Sequence, residues 1–255
     1  MKTIPTPPTL PGTPAQAPRM DLYAFIHKAL RSLMSDTLLR LGRADADDRA
    51  SADGALAQVR ELLAACEAHI TKEEHYVHPL VERAVGGASS RVAGEHQDHA
   101  DSIGGLRALC DGVEQVTGPV RAGALHRLYL ELSRFVGENF EHMQVEESRH
   151  NAVLWAHYSD AELKAVHDEI LAGIQPAEMM FIMRWMLPAL SPTERLGMLA
   201  GMQAEAPPPA FAAVLDLARE VLDAAQWAGV QRGLGLTAAT DPSIQPATQP
   251  ALLAA

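Results

Sequence analysis

Apolar residues recur at intervals of three and four along four stretches of the chain. The first stripe is Tyr23, His27, Leu30, Met34 and Leu41, and the second is Leu56, Val59, Leu62, Cys66, His69, Glu73, Tyr76 and Leu80. The third is Val92, His96, His99, Ile103, Leu106, Cys110 and Val113, and the fourth is Leu125, Leu128, Leu132, Phe135, His142, Glu146 and Val153. Such spacing puts one face of a helix into a core and leaves the rest to solvent. It predicts a helix from near Asp21, a turn over 42–54, a second helix kinked or weakened by Pro79 and ended by the Gly/Ser-rich stretch 86–90, and a third helix. Gly118 and Pro119 should then break the chain before a long fourth helix from about Arg121 past Trp155.

Beyond Trp155 the pattern changes. Ser159 with Glu162 and Ser191 with Glu194 have the capping-box form, and Pro192 follows the second N-cap. Short helices are expected at about 160–173, 176–188 and 192–203, then a longer one from about Pro209 to Arg232. Met179, Met180, Met183 and Met186, interleaved with Phe181, Ile182, Trp185 and Leu187, should pack against the bundle or a partner, with a core role favoured because flexible thioethers fill irregular gaps. The expected fold is all-α: an up-down-up-down four-helix bundle over 20–158 with a C-terminal helical extension over 159–235. The Pro-rich stretch 1–19 and the Ala/Thr/Pro/Gln-rich stretch 236–255 are read as a disordered leader and tail.

Composition narrows the partners. A net charge of −11 over 255 residues lacks the concentrated basic surface that phosphate binding needs, so no nucleic-acid partner is expected. No segment is apolar for long enough to suggest a membrane span, since Arg184 and Pro188 interrupt the most apolar run. The N-terminus has no apolar region of the signal-peptide kind. Cys66 and Cys110 fall on inward faces, which suits small core residues in a reducing compartment better than a disulfide framework. Cytoplasmic localisation follows as the expectation.

The inward stripes also carry polar groups that a core does not tolerate alone. His69 precedes Glu73 by four residues, His142 precedes Glu146 by four, and residues four apart on a helix share a face. His27 and the His96/His99 pair lie on the other two stripes. His27 lies about 19 residues before the first turn and the His69/Glu73 pair about 20 after it, so at ~1.5 Å per residue they share a level. His96/His99 and His142/Glu146 lie about 20 and 25 residues from the break at Gly118, a mismatch of roughly one turn. A buried carboxylate costs several kcal/mol (roughly) unless it is paired or ligated. Two of them among four or five imidazoles therefore point to a metal site. Imidazole and carboxylate without thiolate suit iron, manganese or zinc, and the donors outnumber the needs of one tetrahedral zinc, which favours two metal ions.

The order His27, His69-x3-Glu73, His96, His142-x3-Glu146 resembles the hemerythrin or HHE cation-binding family over roughly 20–157. The resemblance implies a non-haem di-iron centre in a four-helix bundle. His27, His69, His142 and a histidine of the third helix would be terminal ligands, with Glu73 and Glu146 as bridges; zinc and manganese rank below iron. Invertebrate oxygen carriers of the family have His-x3-His on the third helix and His-x4-Asp on the fourth. This chain has His96-x2-His99 and His142-x3-Glu146, and so looks like the bacterial branch, whose members differ in function. Both His96 and His99 are expected to ligate, with His96 ahead. Tyr23 and Tyr76 lie near the inferred site and could donate to a bound ligand. His75, His78, Glu74 and Glu147 are divided between solvated and supporting roles, and His126, His150, His157 and His167 are taken as surface or structural.

Three functions are compatible with such a centre. It could bind or sense a small diatomic ligand, oxygen or nitric oxide, or handle iron. It could be an enzyme that reduces peroxide or nitric oxide or repairs iron–sulfur centres. Or residues 160–235 could form a homodimer contact or a protein-partner surface, with the metal structural or regulatory.

Overall fold

The computed structural model describes residues 19–236; the leader and tail expectations for 1–18 and 237–255 lie outside the described residues. Eleven α-helical segments and no strand occur among the described residues. The four long helices are α1 (Ala24–Gly42), α2 (Arg49–Lys72), α4 (Ser90–Glu114) and α5 (Gly118–Val145). α1 packs on α2 and α5, and α4 packs on α2 and α5, so the four close into a ring around one core. The stripes read from the sequence face inward: Leu30, Leu33 and Met34 of α1, Leu56, Val59, Leu62 and Leu63 of α2, Ile103, Leu106 and Cys110 of α4, and Leu128, Leu132 and Phe135 of α5 form one buried cluster.

The helix ends follow local chemistry. α2 starts at Arg49, inside the predicted turn, because the Asp48 carboxylate accepts a hydrogen bond from the Ala50 amide. Gly118 adopts φ +58°, a left-handed conformation suited to glycine. Pro119 then occupies the first turn of α5. Gly118 and Pro119 thus open the fourth helix, and the break falls just before them, because proline is tolerated where a helix has no amide acceptor to fill.

α2 and α5 do not end where their α-helical hydrogen bonding stops. Each passes through one π-helical turn, Glu73–Val77 and Glu146–His150, into a further short helix, α3 (His78–Ala84) and α6 (Asn151–His157). Pro79 sits at the start of α3 and suggests a cause for the first turn, yet the second has no proline near it. Both π turns begin at an inward glutamate, and a π turn inside a helix is a common mark of a functional position.

The extension comprises α7 (Asp160–Ala172), α8 (Pro176–Ala189), α9 (Pro192–Glu205), α10 (Pro208–Val221) and α11 (Ala224–Gly233). The capping boxes at Ser159/Glu162 and Ser191/Glu194 form as expected. The single long helix expected from Pro209 to Arg232 is two helices. Asp223 caps the second, accepting from the Gln226 amide while the Gln226 side chain returns to the Asp223 amide.

α8 joins the two parts. Its Met183 and Leu187 are buried with Leu199, Val214 and Leu217 in a second core, against which Met179, Met180 and Met186 also pack. Phe181 and Trp185 pack on the bundle core, and α8 lies along α1. Lys28 of α1 donates to Glu194 at 2.6 Å, and Lys72 of α2 donates to Glu178. Arg19, counted with the leader, is tied down by Asp160 at 2.6 Å and by the carbonyls of Trp155 and Tyr158.

Candidate metal centre

The four inward helices bring six of the seven predicted donors to one layer. His27 Nε2 and His69 Nε2 face each other at 3.2 Å, and Glu73 Oε1 lies 3.5 Å from the first and 3.1 Å from the second. On the other side His96 Nε2 and His142 Nε2 face each other at 3.1 Å. Glu73 Oε2 is 3.4 Å from His96, and Glu146 Oε2 is 3.4 Å from His142. Glu146 Oε2 also lies 3.5 Å from His27. The result is two donor sets, His27/His69/Glu73/Glu146 and Glu73/His96/His142/Glu146, each with its ligand atoms within 4.8 Å of one another. Both carboxylates belong to both sets.

The burial is nearly complete, and the orientation is unusual for groups meant to bond each other. All four carboxylate oxygens of Glu73 and Glu146 are buried without a hydrogen-bond partner, although imidazole nitrogens stand 3.1–3.7 Å away. Each carboxylate stands beside several imidazoles without bonding to one of them, as donors arranged around a cation do. The donor set, four imidazoles and two carboxylates with no thiolate, fits iron, manganese or zinc.

The Glu-Glu doublets after each His-x3 spacing divide their work between hairpins. Glu73 points inward while Glu74 reaches His96 Nδ1 at 3.3 Å; Glu146 points inward while Glu147 accepts from His27 Nδ1 at 2.9 Å. Each hairpin therefore braces the lone histidine of the other. His142 Nδ1 donates to Glu95 at 2.9 Å, and Arg31 anchors Glu147. A carboxylate on the far nitrogen fixes the ring's orientation and tautomer and raises its basicity as a ligand.

The carboxylates draw positive charge into the core. Burial pushes His27 down, but Glu147 and Glu73 outweigh it and raise its pKa to about 9. His96 likewise loses by burial and gains more from Glu146 and Glu73, ending at about 10. His142 falls to about 4, chiefly by burial, despite Glu95. Burial, followed by the charge of Glu73, lifts Glu146 to about 7, whereas His69 and the other imidazoles hold Glu73 well below the carboxylate range against its own burial.

Three expectations change. His99 joins neither donor set; it lies edge-on to the His142 ring at 4.8 Å and against Phe135, with Nδ1 buried and unpartnered. It sits three residues nearer the loop between α4 and α5 than His96, about 4.5 Å lower at ~1.5 Å per residue. The longer arm to His96 matches the longer arm to His142, so His96 alone reaches their level. Tyr76 turns away from the site, its ring against His75 and its hydroxyl at the close approach of Gly173, where a Cβ would come within 3.2 Å. Tyr23 stays close, its ring 5.3 Å from that of His27, but its hydroxyl is bonded to His150 Nδ1 at 3.1 Å.

His78 and His150 are the residues the helical pattern missed. Both are buried, and each offers a ring nitrogen within 4.8 Å of the other and of a Glu146 oxygen. In an α-helix His78, five residues after Glu73, would point to another face; the π turn between them, with more residues per turn, rotates it back toward Glu73. The Glu147-x-x-His150 spacing is the signal in the sequence that points to His150.

A bundle with this donor layer defines a helical cation-binding protein. The hemerythrin HHE cation binding domain model matches residues 21–153, and the chain belongs to that family. It is also similar to an iron-sulfur cluster repair protein YtfE of Edwardsiella ictaluri (strain 93-146), with 26% identity over 144 residues. That match covers 52% of this chain and 64% of the relative, so the chain spans a little under two thirds of that protein's length. No solved structure matches. Among the described residues no helix is long and apolar enough to cross a membrane.

Proposed function

We propose that the protein carries a dinuclear non-haem iron centre that binds a small diatomic ligand, oxygen or nitric oxide. The observation that carries this reading is the pair of donor sets sharing Glu73 and Glu146, whose oxygens are buried and otherwise unpartnered. His27 and His69 would hold one ion, His96 and His142 the other, and the two carboxylates would span both. Four protein donors per ion leave coordination positions open on a metal that accepts six, and an open position is where an exogenous ligand binds. When bound, iron supplies the one-electron chemistry and ligand affinity that protein side chains lack. The chain's own part is to hold the imidazoles through Glu147, Glu74 and Glu95, and to keep bulk water out with the surrounding core.

Anaerobic reconstitution with ferrous iron should give two iron ions per chain, and exposure to oxygen or nitric oxide should produce a new visible absorption band. A chain that takes up no iron under these conditions would overturn the reading. A second reading, delivery of iron to damaged iron–sulfur centres, is favoured by the name of the relative. Transfer of iron from the loaded protein to a cluster-depleted acceptor, faster than release to solution, would select it.

A further inference from the structure

Beyond the two donor sets, His78, His150 and Glu146 form a third group. His78 opens α3 and His150 closes the second π turn; a nearby apolar cluster of Tyr23, Val77, Val81, Leu154 and Leu163 includes the neighbour of His78 in the chain and the tyrosine bonded to His150. His78 is 93% and His150 98% buried by complement of their 7% and 2% exposure. Nε2 of each is buried without a hydrogen-bond partner. A buried polar atom without a partner costs about 1–3 kcal/mol, and a ring nitrogen of each histidine lies within 4.8 Å of the other and of a Glu146 oxygen, which favours a shared occupant. His150 is already oriented, because its other nitrogen is bonded to the Tyr23 hydroxyl at 3.1 Å. A cation at Nε2 would select the tautomer in which Nδ1–H donates to the Tyr23 oxygen.

We propose that His78, His150 and Glu146 form a third cation position, selective for a divalent first-row transition metal and distinct from the dinuclear pair. Two imidazoles and one carboxylate with the remaining positions open are the donor set that suits ferrous iron. The asymmetry of the bundle separates this from a mere completion of the pair. The two arms repeat at one constant spacing: His69 and His142, Glu73 and Glu146, and the two π turns correspond. At that spacing His78 corresponds to Asn151 and His150 to Val77. The two histidines are therefore not a matched set, one for each ion, but converge on a single extra point beside Glu146. The inference rests on the dinuclear reading only through that shared glutamate.

The test is an anaerobic titration of the metal-stripped full chain with Co(II), counting bound equivalents by dialysis and following visible absorption. Three equivalents are expected. His78→Gln and His150→Gln should each abolish the third and leave the first two with unchanged absorption. Tyr23→Phe, which preserves the packing, should weaken only the third, by about 10–100-fold. Saturation at two equivalents that neither histidine variant alters would overturn the third site and leave the pair standing, with water as the occupant. Loss of one of two equivalents in either variant would overturn it by making these histidines ligands of the pair. Absence of any binding would overturn both readings.

Discussion

His27 on the first helix donates its Nδ1–H to Glu147, at 2.9 Å, while the neighbouring Glu146 turns into the donor layer that His27 Nε2 faces. The doublet Glu73/Glu74 does the same for His96. Two adjacent carboxylates thus take opposite roles because successive residues on a helix point about 100° apart, one into the core and one toward the neighbouring helix.

That arrangement predicts the effect of removing the brace. Glu147→Ala should weaken cation affinity by about 10–100-fold, whereas Glu147→Gln, which keeps an acceptor oxygen, should lose much less. Glu74→Ala should have a smaller effect, because Glu74 is half exposed and its contact with His96 is 3.3 Å. Competition with a chromophoric chelator, with circular dichroism to verify folding, measures all three.

The inner carboxylates are placed for binding at the expense of stability. Glu146 is fully buried, its oxygens lack hydrogen-bond partners, and its pKa is driven up to about 7, first by burial and then by Glu73. Removing this carboxylate relieves its burial cost and strands no imidazole, because Glu73 remains beside His27 and His96. Glu146→Met is expected to raise the thermal midpoint of the metal-free protein while weakening cation uptake in both donor sets, since Glu146 belongs to each. A lower midpoint in the metal-free variant would show that Glu146 serves the packing and not the ligand.

How far the chain announced this site depends on which period governs each residue. His27, His69, Glu73, His96, His142 and Glu146 were legible because they fall on 3.6-residue stripes with the leucines that surround them. His78 was not, because the π turn after Glu73 shifts the phase of everything that follows, and the Glu-Glu doublet that opens the turn in both arms is as ordinary in an α-helix. His99 shares a stripe with His96, and only the vertical level, which depends on where the α4–α5 loop closes, separates the two. The bracing role of Glu74 and Glu147 needed the distance between helices. The division of α10 from α11 was available in Asp223 and Gln226, a capping box inside an apparently continuous apolar pattern.

The extension should unfold with the bundle. Phe181 and Trp185 of α8 pack on the bundle core while Leu187, on the same helix, is fully buried in the second core. Leu187→Ala is expected to cost about 2–5 kcal/mol and to shift one cooperative transition. A chain ending at Tyr158 should expose the face of α1 that α8 covers and show a lower midpoint and lower solubility. Two resolved transitions in a calorimetric scan of the full chain, with Leu187→Ala moving only one, would show an extension that folds independently.

The two cysteines provide a chemical probe of the same core. Cys66 is 2% exposed and burial alone pushes its thiol up to about 12; Cys110 is fully buried and rises to about 11, again chiefly by burial, with Arg60 pulling slightly the other way. Reaction with a disulfide reagent requires the thiolate, which burial disfavours in both residues, and access to the sulfur, which burial denies. Both are free, on different helices within the main cluster. The native protein should therefore show almost no reactive thiol at pH 8, and two on unfolding in guanidinium. Because both residues lie in the bundle core and not in the extension, the rate at which they become reactive in native buffer reports opening of the bundle itself. Cation loading should slow it, since binding to the folded form alone stabilises that form. A rate unchanged by saturating metal would mean that the core opens without releasing the donor layer.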